Sequence, residues 1–312
     1  MVDSVDVVVP TYRRADLVKR CLEHLARQTL EHRVIVVDDA SGDDTAEVIA
    51  AHDPTAEVVR LERNRGFGAA VNAGVQAGSG EAVVLVNNDV FASPSFLERI
   101  VAPLSAPATG MVAALLLQAD GRRIDSLGLE VDRTLAAFPR LWGGDVADAV
   151  TADSQGLLGP TGGAAAYRRR ALEDVRGFDE RVGDYNEDTD LALRLREAGW
   201  ECAAAVDATA IHLGSASFGR HSRRQVYSRG RSRAFLLRKY RVLKEPRRAL
   251  ATMLVEGGIV GWQLIRTREL AGLRGRVSGW RSARPERPFP SAAVNGGISL
   301  RESIARRRRF RA

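Results

Sequence analysis

The chain has 312 residues, 45% hydrophobic and 27% charged. This is ordinary globular composition, long enough for a substantial core, and it argues against wholesale disorder. The net charge of +7 hides a split: residues 213–312 carry 25 Lys and Arg against 5 acids, or +20, and residues 1–212 carry the remaining 21 against 34, or −13. The two cysteines, Cys21 and Cys202, stand in no CxxC pair, so neither a disulfide framework nor a zinc site is indicated and a reducing cytoplasm is expected.

The start, Met1-Val2-Asp3-Ser4-Val5-Asp6, lacks a basic flank and an apolar core, so no secretion signal is expected. Val5–Val9 reads as a first strand closed by Pro10-Thr11. A helix follows over about Ala15–Arg27 with Leu17, Val18, Cys21, Leu22 and Leu25 on one face, which makes Cys21 a core residue. Val34–Val37 is a second strand ending in Asp38-Asp39-Ala40-Ser41, and a second helix runs from about Thr45 to Ala51, capped by Asp43 or Asp44. Val58–Leu61 is a third strand. After it come Asn64-Arg65-Gly66-Phe67-Gly68 and a helix through Ala77. Val83–Val86 is a fourth strand that runs into Asn87-Asn88-Asp89.

Strands and helices alternating at this spacing predict a mostly parallel α/β sheet covered on both faces. Ligands of such sheets lie beyond the carboxyl ends of the strands. Asp89 is therefore a hard oxygen donor placed where a ligand would lie, suited to Mg²⁺ or Mn²⁺ carrying phosphates; equally, Asn88-Asp89 could simply open a turn. The first strand is not followed by GxGxxG, and no GxxxxGK[ST] occurs, so neither a dinucleotide Rossmann site nor a P-loop is supported.

A helix from Pro94 to about Leu104 and a strand over Met111–Leu117 are expected next. Residues 118–157 mix turns with short apolar pieces and are assigned to the acceptor side. Gly159–Ala166 is rich in small residues. It is either a backbone that a ligand approaches closely or a glycine turn into a strand. Glu187, Asp188 and Asp190 then crowd the first turn of a helix that stops at Gly199. Acids at a helix start favour the dipole and free N–H groups, but with Asp184 there are four carboxylates among seven residues, which repel unless a cation or proton is near. His212 lies between Ile211 and Leu213, structural by default yet suited to a metal.

The basic third predicts helices over Gln225–Tyr240 and 247–268 and a solvated, mobile tail at Arg306–Arg309. Leu250–Ile265, the longest apolar stretch, is too short to span a membrane and holds Glu256, Gly257 and Gly258. Arg, Trp and Leu together suit a helix resting on anionic lipid. Basic charge interleaved with Tyr227, Phe235, Tyr240 and Trp262 also admits nucleic acid, but no zinc finger, RRM signature or helix-turn-helix spacing accompanies it.

These stretches line up with a known family. Val7–Tyr12, Val36–Ser41, Asn64–Gly74, Asn87-Asn88-Asp89, Gly177-Phe178-Asp179, Glu187–Arg194 and His212 resemble, in order and approximate spacing, the inverting family 2 glycosyltransferases of GT-A fold, especially the rhamnosyltransferase-like branch. The resemblance implies a GT-A domain over residues 1–216, with a donor half to about 110 and an acceptor half from 111, followed by a basic helical region over 217–312. It implies that Pro10, Thr11 and Tyr12 frame the nucleotide pocket and that Asp39 bonds the base or ribose. Arg65 and Asn72 would help hold the donor, Gly66 and Gly68 would allow its approach, and Asn87 and Asn88 would line its site. Asp89 and His212 would bind a divalent metal, Asp188 would be the general base, and Glu187 its acidic neighbour. Asn87 stands where the family's DxD motif has its first acid. The implied donor is a nucleotide-diphosphate sugar, dTDP-rhamnose first and a UDP-sugar second. The implied acceptor is a glycan or lipid-linked glycan of the cell envelope, reached from the inner face of the plasma membrane, and a homo-oligomer is compatible. A non-catalytic nucleotide-sugar scaffold is the rival reading, disfavoured because both Asp89 and Asp188 are present.

Overall fold

The computed structural model describes residues 2–151, 154, 156–214, 222–267 and 269–309. The first half alternates strands and helices: β1 (Val5–Thr11), α1 (Ala15–Leu25), β2 (Arg33–Asp38), α2 (Thr45–His52), β3 (Glu57–Arg60), α3 (Phe67–Ala77), β4 (Ala82–Val86), β5 (Val90–Ala92) and α4 (Phe96–Val101). The second half holds β6 (Thr109–Leu117), β7 (Ile124–Ser126), β8 (Leu129–Val131), β9 (Ala137–Pro139), α5 (Val146–Val150), β10 (Ala164–Arg168), α6 (Arg169–Val175), α7 (Glu187–Glu197) and β11 (Glu201–His212). Four helices follow: α8 (Arg223–Lys239), α9 (Pro246–Thr267), α10 (Ala271–Ser282) and α11 (Leu300–Arg309).

Nine strands form one sheet in the order β3-β2-β1-β4-β10-β6-β11-β5, with β7 beside β6. The pleat explains the valine runs. Val7, Val9, Val84 and Val86 point to a layer shared with Leu22 of α1 and Phe96 of α4. Val8, Val83 and Leu85 point to the opposite layer, with Val71 of α3 and Leu191 and Leu195 of α7. Both faces are covered, so no strand position here can be polar without cost.

Two antiparallel insertions bring distant segments to the strand ends. β10 enters between β4 and β6 with Ala164 opposite Val86, which lays the small-residue run of Gly159–Ala166 against the exit of β4. β11 pairs with β5 so that His212 faces Val90, which carries His212 to the residue after Asp89. Strand β5 was not expected from the sequence; three residues give too little pattern. The helix after Pro94 ends at Val101, where a 3₁₀ turn with Pro103 takes over.

The basic third is packed against the rest. Leu236, Leu237 and Tyr240 of α8 share a core layer with Leu191 and Leu195. Lys239 is buried, its Nζ 2.7 Å from Asp179 and 2.6 Å from Asp190. The boundary placed between residues 216 and 217 lies outside the described residues. The residues expected to form a solvated tail, Arg306–Arg309, end α11, where Arg306 pairs with Glu130 at 2.7 Å; earlier on that helix Ser303 donates to Asp132 at 2.5 Å. The acids that neutralise the arginines sit some 170 positions away in sequence, beyond the reach of any local reading.

Candidate active site

The parallel strands end on one edge, and the loops there assemble the site. At the end of β1, Pro10 and Thr11 are buried, and Tyr12 is partly buried with the Arg13 guanidinium 5.1 Å from its ring. Thr11 accepts the Asp39 N–H at 3.0 Å through its carbonyl and the Asn88 amide at 2.9 Å through its hydroxyl. Asp38 caps its own turn by accepting from the Ser41 N–H at 3.0 Å. Asp39 takes the Arg65 N–H at 2.7 Å on one oxygen and the Gly66 N–H at 2.9 Å on the other. It therefore fastens the start of α3 to the end of β2. Burial pushes its pKa up against these two bonds.

Gly66 adopts φ +87°, open to glycine at little cost, and a side chain on Gly68 would press on Phe178 at 3.2 Å. Arg65 pairs with Glu180 at 2.6 Å. Asn72 forms a two-way clamp on Phe178, accepting its N–H at 2.8 Å and donating to its carbonyl at 2.9 Å. The Gly177-Phe178-Asp179 stretch is thus tied to α3, which orients the chain leading to α7.

Beyond β4, the Asn87 N–H donates to the Gly163 carbonyl at 2.9 Å. Asp89 is 5% exposed, and its carbonyl accepts the Leu213 N–H at 3.1 Å. Its Oδ1 lies 3.6 Å from His212 Nε2. His212 Nδ1 is 2.8 Å from Asp125 Oδ2, a partner the sequence reading missed. Asp125 sits on β7, within the stretch whose pattern carried no signal. Burial lowers the His212 pKa, but the Asp125 bond and the charges of Asp89 and Asp125 outweigh it, leaving the pKa raised.

These groups suit a divalent cation. A carboxylate oxygen and an imidazole nitrogen 3.6 Å apart can both reach one ion at about 2.1–2.2 Å. A carboxylate on the far ring nitrogen is the usual way to fix the tautomer of a ligating histidine. Among the described residues no group of three His, Cys, Asp or Glu side chains could hold a metal. Such a pair would need oxygens from a phosphate or water to complete the shell.

Facing this pair is the start of α7. Tyr185 and Asn186 are both left-handed, at φ +70° and +60°, and Asn186 donates to Ser232 of α8 at 2.9 Å. That kink delivers Glu187 and Asp188 to the site. Asp188 accepts the Gly162 N–H at 3.1 Å, and the Thr189 N–H at 2.6 Å and hydroxyl at 3.2 Å. Gly163, the next residue, lies against His212. The Gly159–Ala166 run is thus both a turn into a strand and the backbone spanning the gap between Asp188 and His212.

Burial raises both neighbouring acids, and Asp188's charge raises Glu187 further. Three donors hold Asp188 in its charged form, while Glu187 Oε2 is buried without a hydrogen-bond partner. Burial therefore weighs more heavily on Glu187 than on Asp188, whose charge these donors support.

The profile of Glycosyl transferase family 2 matches residues 6–176. The succinoglycan biosynthesis protein ExoO of Rhizobium meliloti is 36% identical over 146 residues, spanning 45% of this chain and 40% of that protein. An N-acetylglucosaminyl-diphospho-decaprenol L-rhamnosyltransferase of Mycobacterium tuberculosis is 31% identical over 252 residues, covering 70% of this chain and 79% of the relative. Among solved structures, the mannosyltransferase PcManGT of Pyrobaculum calidifontis, in complex with GDP-Man and Mn²⁺, superposes with a TM-score of 0.55 at 19% identity, over 99% of this chain and 83% of that one. Its fold is the GT-A fold that the motifs imply. With more than half of its length matched by the family profile, the chain belongs to glycosyl transferase family 2.

Proposed function

We propose that the chain transfers a sugar from a nucleotide-diphosphate donor to an acceptor hydroxyl, with inversion, in the synthesis of an envelope polysaccharide or glycolipid. One observation carries the reading: Asp188 takes the Gly162 N–H, and His212, 3.6 Å from Asp89, lies against the next residue, Gly163. Asp89 and His212, oriented by Asp125, would hold Mg²⁺ or Mn²⁺. The cation, when bound, supplies Lewis-acid neutralisation of a leaving diphosphate.

The other steps belong to the protein. Asp39, Arg65 and Gly66 shape the loop beside the nucleotide pocket framed by Pro10, Thr11 and Tyr12. Asp188 accepts the proton of the attacking hydroxyl, and burial, which raises the Glu187 pKa, weighs against a second charge beside it. Attack opposite the leaving group needs no enzyme nucleophile. The donor is read as dTDP-rhamnose, supported by the name of the mycobacterial relative, with a UDP-sugar second.

The test is release of nucleoside diphosphate from a panel of nucleotide sugars with Mn²⁺, Mg²⁺ or EDTA. Metal-dependent release from one donor is expected. Asp188→Asn should keep nucleotide binding and lose about 10²–10⁴-fold in transfer; near-normal turnover would remove Asp188 as base. The +20 segment is read as facing an anionic membrane, and salt-sensitive flotation with anionic liposomes is the expected result.

A further inference from the structure

The loop that leads into α7 is bent against its own preference. Gly183, Tyr185 and Asn186 are all left-handed, at φ +81°, +70° and +60°. Glycine accepts this freely and asparagine tolerates it, but a bulky tyrosine is strained there. Backbone of this kind persists only where its surroundings over-determine it. The surroundings here belong to α8, a helix beyond the residues that the family profile matches.

Side chains of α8 grip the loop in turn. Arg231 Nη1 donates to the carbonyls of Arg181 at 3.1 Å and Val182 at 2.8 Å. A methyl on Gly183 would come within 2.7 Å of that nitrogen, so the position after Val182 has to be small. Gln225 hydrogen-bonds the Tyr185 hydroxyl, and the Arg229 guanidinium lies 5.0 Å from the Tyr185 ring. Ser232 is fully buried. Its hydroxyl accepts the Asn186 amide at 2.9 Å and donates to the Arg229 carbonyl, one turn back, at 3.3 Å.

The serine contact has a consequence at Asp188. Asn186 is the residue before the first turn of α7. An asparagine in that place ordinarily turns its side-chain oxygen onto the N–H of the second or third residue of the helix. The third residue is Thr189. In this chain the Asn186 side chain is turned away to Ser232 and caps nothing. The Thr189 N–H goes to Asp188 Oδ1 at 2.6 Å, while Asp188 Oδ2 takes the Gly162 N–H at 3.1 Å. Both carboxylate oxygens are thereby fixed. Without the serine, the kink can relax to the extended backbone of an ordinary cap, and Asn186 can take the Thr189 N–H for itself.

We propose that Ser232 is a positioning residue for Asp188, acting through Asn186: it holds the left-handed kink and keeps the asparagine off the Thr189 N–H. The assignment rests on the transferase reading above, and it makes α8 a working part of the active site.

The experiment uses the full chain and reads nucleoside diphosphate release from the nucleotide sugar that turns over in the panel above. Ser232→Ala puts a good helix former into α8. It should lower kcat about tenfold or more, as a displaced base does, with donor KM and calorimetric affinity for the nucleoside diphosphate within about twofold of the parent. Asn186→Gly supplies a second background. Glycine adopts φ +60° without strain and has no side chain for Ser232 to hold. There, Ser232→Ala should change kcat by less than about twofold, because a residue acting only through Asn186 has nothing left to act on. Equal losses in the two backgrounds would overturn the proposal. So would unchanged kcat in Ser232→Ala, a loss carried by KM or by nucleotide affinity, or absence of turnover in Asn186→Gly. Any of these with the parent active overturns the role of Ser232 alone; no release by the parent from any donor would overturn the transferase reading with it.

Discussion

Asp188 and Glu187 are neighbours in sequence with different surroundings, and the difference comes from hydrogen bonds. Three donors face Asp188, while a buried oxygen of Glu187 has no partner. The sign of the pH dependence follows. A base must be ionised, and burial holds the Asp188 pKa above its ordinary 3.8. Transfer should therefore rise with pH through a limb lying above that value. A pH profile of kcat/KM checks it, and a limb at or below the ordinary aspartate range would count against Asp188 as the group observed. Most of these residues could be found in the sequence because motif and position coincide: Asp89 ends a strand, and Asp188 starts a helix. Asp125 could not, because its role exists only through the pairing of β7 with β6 and of β11 with β5. Asn72 shows the converse. It was expected to help hold the donor, and in the structure its side chain is occupied by Phe178.

Among elements, α10 shows how backbone contact replaces side-chain packing. A methyl on Gly275 or Gly279 would strike the carbonyl oxygens of Tyr227 and Arg231 on α8, so the two helices touch along their main chains. Gly279→Ala should cost about 1–3 kcal/mol, the usual penalty for overpacking. Gly257 and Gly258 of α9 meet nothing within 4 Å. Gly257→Ala should instead stabilise by about 0.5–1 kcal/mol through helix propensity. Thermal melts of the two variants should move in opposite directions, and movement in the same direction would mean that α8 and α10 do not meet as described. The sequence exposed the apolar periodicity of α8 and α9 but gave no sign of which helix lay against which. Glycines at this spacing read equally as breakers or as contacts until the partner is known.

Across the whole molecule, charge joins the acidic two-thirds to the basic third. Lys239 sits between Asp179 and Asp190, Arg194 and Tyr240 also bond Asp190, and Arg306 reaches Glu130. Lys239→Met would remove one of two cations from each of Asp179 and Asp190, which keep Arg181 and Arg194, and should cost about 1.5–3 kcal/mol, read by urea unfolding. Glu256 predicts the acid behaviour. Burial works against its charge, but three arginines hold its pKa down to about 2, below the ordinary 4.5. Its contribution is complete above pH 4.5 and is lost as pH falls towards 2. Glu256→Gln should flatten that part of a stability-against-pH curve; an unchanged slope would deny Glu256 that role. The composition split of −13 and +20 was visible at once. Its meaning as an internal seam was not, since pairing partners lie up to 176 residues apart.

The position of Lys239 has a consequence for synthesis. Helix α7 is complete by Glu197, but Lys239, the second cation on its buried Asp190, arrives 42 residues after that helix ends. While those residues are still being made, Asp190 has Arg194 of its own helix as a counter-charge, but α7 lacks both Lys239 and the α8 core residues Leu236 and Tyr240. A nascent chain that already holds every family motif thus still lacks the packing that seats α7 against α8.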